Sequence, residues 1–211
     1  MQPELLSRQE QGVAQDLLLW RLERPAVVAS TASIGGGVGE RQWILNLQVA
    51  HDYQRRDLDR HVAEIVAEID VGGKGVGLLT AAAVAGVVSE HDDGLDVYAT
   101  VGVRQPTWAA SAETITSEIG HIGTINIVAF LPVRFAPGGL LNLLTTATEA
   151  KSQALWDAGV AATGTASDAL CIVSALDGPE VPFGGPRSRW GSQLARAVHR
   201  AVLVGINRER P

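Results

Sequence analysis

The sequence predicts an α/β protein of the mixed α+β kind, a single domain over residues 1–211 whose mixed, partly antiparallel sheet is covered by helices. Three observations carry that reading. Trp43 to Leu79 and Thr124 to Ala175 each run strand, helix, strand, the order of a parallel crossover. Between them Asp93-Gly94, followed by alternation at Leu95, Val97, Ala99, Val101 and Val103, marks a tight antiparallel hairpin. The chain then closes on an amphipathic stretch suited to covering a sheet face.

In chain order, Glu4 to Trp20 is expected as a helix, an N-terminal helical extension over residues 1–20. Arg21 to Ser30 reads as extended, and Pro25, which cannot donate to a ladder, makes it an edge strand or a pair of short ones. The cluster Gly35-Gly36-Gly37 with Gly39 breaks both helix and strand. Trp43, Leu45, Leu47 and Val49 then alternate with Ile44, Asn46 and Gln48, the period of a strand.

Leu58, Val62, Ile65, Val66 and Ile69 recur at helical spacing, and Gly72-Gly73 supplies the stop. Gly75 to Leu79 is a short buried strand, and Thr80 to Ala85 fits either a helical turn or strand. Arg104 to His121 carries Pro106, several Ser and Thr and no period, the pattern of a long functional loop. A strand at Gly123 to Leu131 leads to a helix from Gly138 to Ala158, with Leu140, Leu144, Ala147 and Ala154 on one stripe and Gly159 as cap. Ala169 to Ala175 forms another buried strand, and Ser188 caps a final helix bearing Trp190, Leu194, Val198 and Ala201. The first strand of each crossover unit holds an asparagine among branched apolar residues, a weak hint of duplication.

Composition narrows the function classes. A chain of 211 residues with 46% hydrophobic and 19% charged residues is globular. Its net charge of -6 and lack of a basic run argue against nucleic acid as a partner. No signal-peptide pattern opens the chain, and no apolar run approaches the roughly 20 residues that span a bilayer, so membrane insertion is not expected. The lone Cys171 allows no internal disulfide and suits a cytoplasmic location; in its apolar run it reads as a small hydrophobe, not a nucleophile. His51, His61, His91, His121 and His199 show no metal-ligand spacing, so no metal is expected. His51 and His121, which flank the asparagine-bearing strands, are the better site candidates among them.

Polar residues in apolar settings supply the remaining candidates. Thr124 and Asn126 share one strand face, and Asn46 occupies a comparable place in another strand. Such amides either bond a neighbouring loop or contact a ligand, since a buried, unsatisfied one costs about 1–3 kcal/mol. Thr148 and Lys151 lie at the border of a helix's apolar stripe beside Glu149, which places them on a solvated face or in a site. In a site, Lys151 would stabilise an oxyanion and Glu149 act as general acid or base. Gly164-Thr165-Ala166-Ser167-Asp168 is either ordinary turn chemistry or a set of side chains entering a cleft. Ser30 and Thr31 precede the glycine cluster, where Ser30 offers a nucleophilic hydroxyl beside free backbone N–H groups. Neither a phosphate loop nor GxSxG is present.

Taken in order, these strings resemble the adenosylcobinamide amidohydrolases. The likeness rests on Ser30-Thr31-Ala32 with Gly36-Gly37, Ile44-Leu45-Asn46-Leu47-Gln48-Val49 with Tyr53, and Gly77-Leu78-Leu79-Thr80-Ala81-Ala82. It continues through Thr100-Val101-Gly102, Thr124-Ile125-Asn126-Ile127, Thr148-Glu149-Ala150-Lys151 and Ala162-Thr163-Gly164-Thr165 with Asp168. The resemblance implies hydrolysis of the amide joining the aminopropanol arm to the corrin ring of adenosylcobinamide, giving adenosylcobyric acid. The corrinoid is then a small-molecule substrate, no cofactor is implied, and a homo-oligomer is left open. It also implies catalytic positions at Glu149, Lys151, Asp168 and Ser30. Substrate contacts are implied at Thr31, Gly36, Gly37, Asn46, Thr80, Thr100, Thr124, Asn126, Thr148 and Thr165, with the loop holding Trp108 beside the corrin. A noncatalytic corrinoid-binding protein and an amidase for another substrate are the alternatives.

Overall fold

The computed structural model describes residues 1–112 and 123–209. Its strands are β1 (Glu4–Glu10), β2 (Val13–Ser30), β3 (Gly37–Gln48), β4 (Gly75–Thr80), β5 (Val88–Asp92), β6 (Leu95–Gly102), β7 (Thr124–Leu131) and β8 (Ala169–Ser174). The helices are α1 (Leu58–Glu68), α2 (Pro137–Asp157) and α3 (Arg189–Glu209), with a single 3-10 turn at Val84–Gly86. All eight strands belong to one open, mixed 8-stranded sheet in the order β4-β3-β2-β8-β7-β6-β5, with β1 paired to β2.

The two crossover units form as the periodicity predicts. β3 and β4 pair in parallel around α1, and β7 and β8 pair in parallel around α2. Each unit is preceded by antiparallel strands, β1–β2–β3 in one and β5–β6–β7 in the other. The same element order therefore occurs twice. Asp93 and Gly94, at φ 48 and 88, make the tight turn between β5 and β6.

The N-terminal segment differs from expectation. Glu4 to Trp20 is not a helix: it is β1 and the first half of β2, joined by Gln11 and Gly12 at φ 51 and 80. Leu17 and Leu19 pack on one side and Leu18 and Trp20 on the other, so a run that looks helical is a strand buried on both faces. Nor is Arg21 to Ser30 an edge strand. It continues β2, and Val27 to Ser30 pair with both β3 and β8. The ladder tolerates Pro25 because its register with β3 shifts between Arg21 and Ala26, a bulge that frees the missing N–H from pairing.

The sheet is curled so that its two halves face each other. Alternate residues of β2, β3, β4, β6, β7 and β8, among them Trp20, Val28, Ile44, Leu78, Tyr98, Val128 and Cys171, form an inner core between the halves. Trp20 and Tyr98 meet there edge to face, with ring centres 5.4 Å apart. On the outside, α1 packs Val62 and Ile65 against Leu17, Leu19, Leu45 and Leu47. Helices α2 and α3 cover Ile125, Ile127, Val97 and Ala99 with Leu140, Leu143, Leu194 and Val198. Ser188 Oγ accepts the Gly191 N–H at 3.1 Å and so caps α3.

Candidate active site

At one end of the inner core the side chains turn polar. Asn46 on β3 donates from Nδ2 to Thr100 Oγ1 of β6 at 3.0 Å and accepts at Oδ1 from Asn126 Nδ2 of β7 at 2.8 Å. Asn126 Nδ2 also donates to the Leu79 carbonyl at 3.0 Å, tying β7 to β4. These amides are all but fully buried. Curling of the sheet is what lets strands that are not neighbours in it exchange these bonds. Asn126 Oδ1 is buried without a hydrogen-bond partner among the described residues.

Beyond this layer the sheet opens into a cavity of about 540 Å³. Its walls come from Thr31 to Ser33 after β2, Val49 to His51, Tyr53 to Arg56 and Leu58 between β3 and α1, Gly77 to Ala81 along and just past β4, Thr124 of β7 and Ala166 to Ala169 leading into β8. That volume lies within the range of ordinary small-molecule sites. Loops that follow strand ends line much of it, a common place for ligands in α/β folds.

Asp168 fixes one wall. Its carboxylate accepts the Ile125 N–H at 2.9 Å and the Thr165 N–H at 3.1 Å, and it also receives the Thr165 hydroxyl and the Lys151 ammonium. Lys151 comes from α2, and the pair is almost wholly desolvated. A carboxylate so fully supplied with donors holds the start of β7 and the turn before β8 in place. Gly164 is required there: a Cβ at this position would lie 2.5 Å from Lys151 Nζ. Thr124 Oγ1 and Ser167 Oγ, 2.7 Å apart, complete the wall.

The opposite wall is titratable. Tyr53 hydrogen-bonds His61 Nδ1 of α1 at 2.7 Å, and His61 Nε2 lies 3.3 Å from Glu10 Oε1 of β1. Burial lowers the imidazole below its ordinary value and raises the Tyr53 phenol. At the mouth Arg55 pairs with Asp57 and Glu64, and its hydrogen bond pulls Asp57 down to about 2. Arg56 and His51 also line the opening.

Comparison with known proteins identifies this architecture. The family described as adenosylcobinamide amidohydrolase matches residues 2–211. The chain belongs to that family. A relative named adenosylcobinamide amidohydrolase, from Methanosarcina mazei, is 26% identical over 188 residues, covering 84% of this chain and 89% of the relative. An uncharacterised protein of Methanocaldococcus jannaschii is 29% identical over 94 residues, 41% of this chain and 36% of that protein. Among solved structures, one of a protein from Pyrococcus horikoshii aligns with TM-score 0.48 and 12% identity, covering 98% of this chain and 83% of that one.

Within this family member, the residues singled out from sequence fall into separate places. Thr31, Thr80, Thr124 and Asp168 line the cavity, and Asn46, Thr100 and Asn126 form the buried layer beneath it. Lys151 and Thr165 stand behind Asp168. Ser30 is buried next to this end, its hydroxyl donating to the Leu170 carbonyl and accepting the Ala32 N–H. Gly36 directly precedes β3 and Gly37 opens it, and neither lines the cavity; a Cβ on Gly36 would strike the Ala32 carbonyl, and Arg41 donates to the carbonyls of Gly35 and Gly36. Thr148 and Glu149 are exposed on α2, where Thr148 bonds back to the Leu144 carbonyl, and neither lines the cavity. His121 and much of the loop from Arg104 lie outside the described residues, while Trp108 is exposed and Thr107 bridges to Gly164.

The segment Val49 to Leu58 contributes more of the wall than sequence reasoning assigned to it. Its signal in the sequence is the placement of Tyr53, Arg55 and Arg56 directly after an apolar strand and before the helical spacing of α1 begins. Among the described residues, no group of three or more His, Cys, Asp or Glu is placed to hold a metal ion. No helix among them is long and apolar enough to cross a membrane. Cys171 is wholly buried, and burial pushes its thiol up to about 12, far from a reactive thiolate.

Proposed function

We propose that the protein hydrolyses the amide between the aminopropanol arm and the corrin ring of adenosylcobinamide, releasing adenosylcobyric acid in cytoplasmic corrinoid salvage. Membership of the family over essentially the whole chain carries this reading. The cavity suits the arm of this substrate and not its ring. A corrin ring with an axial adenosyl group is too large to be enclosed in about 540 Å³, so the ring rests at the mouth and the arm enters. Thr31, Thr80 and Thr124 offer hydroxyls there for the amide groups that fringe a corrin. Arg56 and His51 supply positive charge or donors toward a developing oxyanion.

Purified protein incubated with adenosylcobinamide should yield adenosylcobyric acid and aminopropanol by chromatography. Absence of release at high enzyme concentration would overturn the proposal. A tight visible-absorbance titration without release would instead identify a corrinoid-binding protein.

A further inference from the structure

Tyr53, His61 and Glu10 form a chain of contacts that begins at the cavity wall, passes through buried His61 and ends at the partly exposed Glu10 carboxylate. Each comes from a different part of the chain: the loop after β3, helix α1 and strand β1. The His61 side chain is only 4% exposed. Burying a histidine is costly unless its polar atoms find partners; here Nδ1 is hydrogen-bonded to Tyr53 and Nε2 faces the Glu10 carboxylate at ion-pairing distance. Glu10 is also held on its second oxygen by Arg8, so its orientation is fixed from two sides.

We propose that these residues form a proton relay serving amide hydrolysis in the adjoining cavity. The inference rests on the amidohydrolase reading. With the His61 proton carried on Nε2, the nitrogen that faces Glu10 Oε1 at 3.3 Å, Nδ1 is left as an acceptor and takes the Tyr53 O–H. The phenol oxygen then has lone pairs for a water in the cavity. As that water attacks the amide carbon, its proton passes to Tyr53 while the Tyr53 proton passes to His61, whose imidazolium is stabilised by Glu10. The C–O bond forms, and the tetrahedral intermediate expels the amine. The proton returns from His61 through Tyr53 to the leaving nitrogen as the C–N bond breaks. Overall, one water is consumed and each relay group is restored.

The charges around the relay suit this direction of transfer. Tyr53 faces Glu10 and Asp57 on the acidic side and Arg8 and Arg55 on the basic side, and its phenol is held neutral chiefly by burial. His61 faces Glu10 and Glu64 against Arg8 and Arg55, and burial again dominates, keeping the ring neutral and ready to accept. General acid–base groups of this kind contribute about 100- to 10,000-fold to rate.

The test compares wild type with Tyr53→Phe, His61→Gln and Glu10→Gln, measuring aminopropanol release across pH and folding by thermal melting. Tyr53→Phe should keep its fold and corrinoid affinity and lose about 100-fold or more in kcat. The wild-type rate should fall on the acid side as His61 protonates. Glu10→Gln should move that limb to lower pH, because the lost carboxylate favoured the imidazolium. His61→Gln should abolish the limb; if that variant melts early, Glu10→Gln carries the same measurement. A Tyr53→Phe enzyme within about twofold of wild type, or an acid limb unmoved in Glu10→Gln, overturns the relay while leaving the amidohydrolase intact. No release by wild type overturns both.

Discussion

Removing the Lys151 ammonium should cost far more than truncating any exposed side chain on α2. Both partners of the Lys151–Asp168 pair are 7% exposed at the side chain, so neither charge can fall back on bulk water. Taking one partner from a buried pair costs about 3–5 kcal/mol, because the other charge stays desolvated. In Lys151→Met the carboxylate keeps the N–H groups of Ile125 and Thr165 and the Thr165 hydroxyl. Hydrogen bonds to a charged acceptor are worth about 1.5–3 kcal/mol each, which puts this variant near the lower bound, about 3 kcal/mol. Asp168→Ala strips the acceptor from all of those donors at once and belongs near the upper bound, about 5 kcal/mol. In urea, with a slope of about 2 kcal/mol per molar, Lys151→Met should lower the midpoint by about 1.5 M. The double variant should cost less than the sum, with a coupling of at least about 1 kcal/mol. Glu149→Ala, exposed on the same helix, should stay within about 0.5 kcal/mol of wild type. A Lys151→Met midpoint shift below about 0.25 M, or strict additivity in the double variant, would refute the reasoning.

Other outcomes follow from the same structure. His61 has a folded value below its unfolded one, so the unfolded state binds more protons as the solution is acidified below about 6.5. Its contribution to stability is therefore complete above that pH and is lost on acidification toward the lowered value; melting scans from pH 7.5 to 5 should show the decline, and His61→Gln should flatten it. Gly205→Ala on α3 should destabilise by about 1–3 kcal/mol, since the new Cβ would lie 2.5 Å from a Val101 methyl. On propensity alone, the same change in a helix interior stabilises by about 1 kcal/mol, so the sign seen in a denaturant titration decides between the two effects. Asn46→Ala should cost about 1–3 kcal/mol by leaving Thr100 and Asn126 without a shared partner. A drop of several degrees in melting temperature would register it.

Helices α1 and α3 were legible because each buries one face and displays the other, while the strands of the crossover units and the Asp93-Gly94 hairpin were marked by short apolar runs bounded by turn residues. Periodicity failed at Glu4 to Trp20, where Leu17 to Trp20 are covered from both sides and carry no alternation to read. Gln11-Gly12 was the one turn signal there, and it is weaker than Asp93-Gly94. Of the site, the order of Asn46, Thr80, Thr124, Asn126 and Asp168 along the chain was visible, but their grouping depends on how the sheet curls, a long-range property. Helical spacing turns Lys151 and Glu149, two residues apart on α2, to different sides, but it does not show that the Lys151 side is buried against Asp168. Glu10 was beyond reach while its segment was read as helix.

The 18-residue strand β2 has a mechanical consequence. Its first half pairs with β1 and its second half with β8, while β3 runs along both, so one continuous backbone joins the two repeats. Each repeat also forms the other's inner wall, and the Asn46–Asn126 bond closes a loop of 80 residues. Neither repeat has a complete interior alone. Amides of β2, β3, β7 and β8 should therefore exchange with solvent only by opening of the whole molecule, as one cooperative unit. Contacts so distant in sequence also imply slow folding, since the entropy of closing that loop falls due before the shared core can repay it.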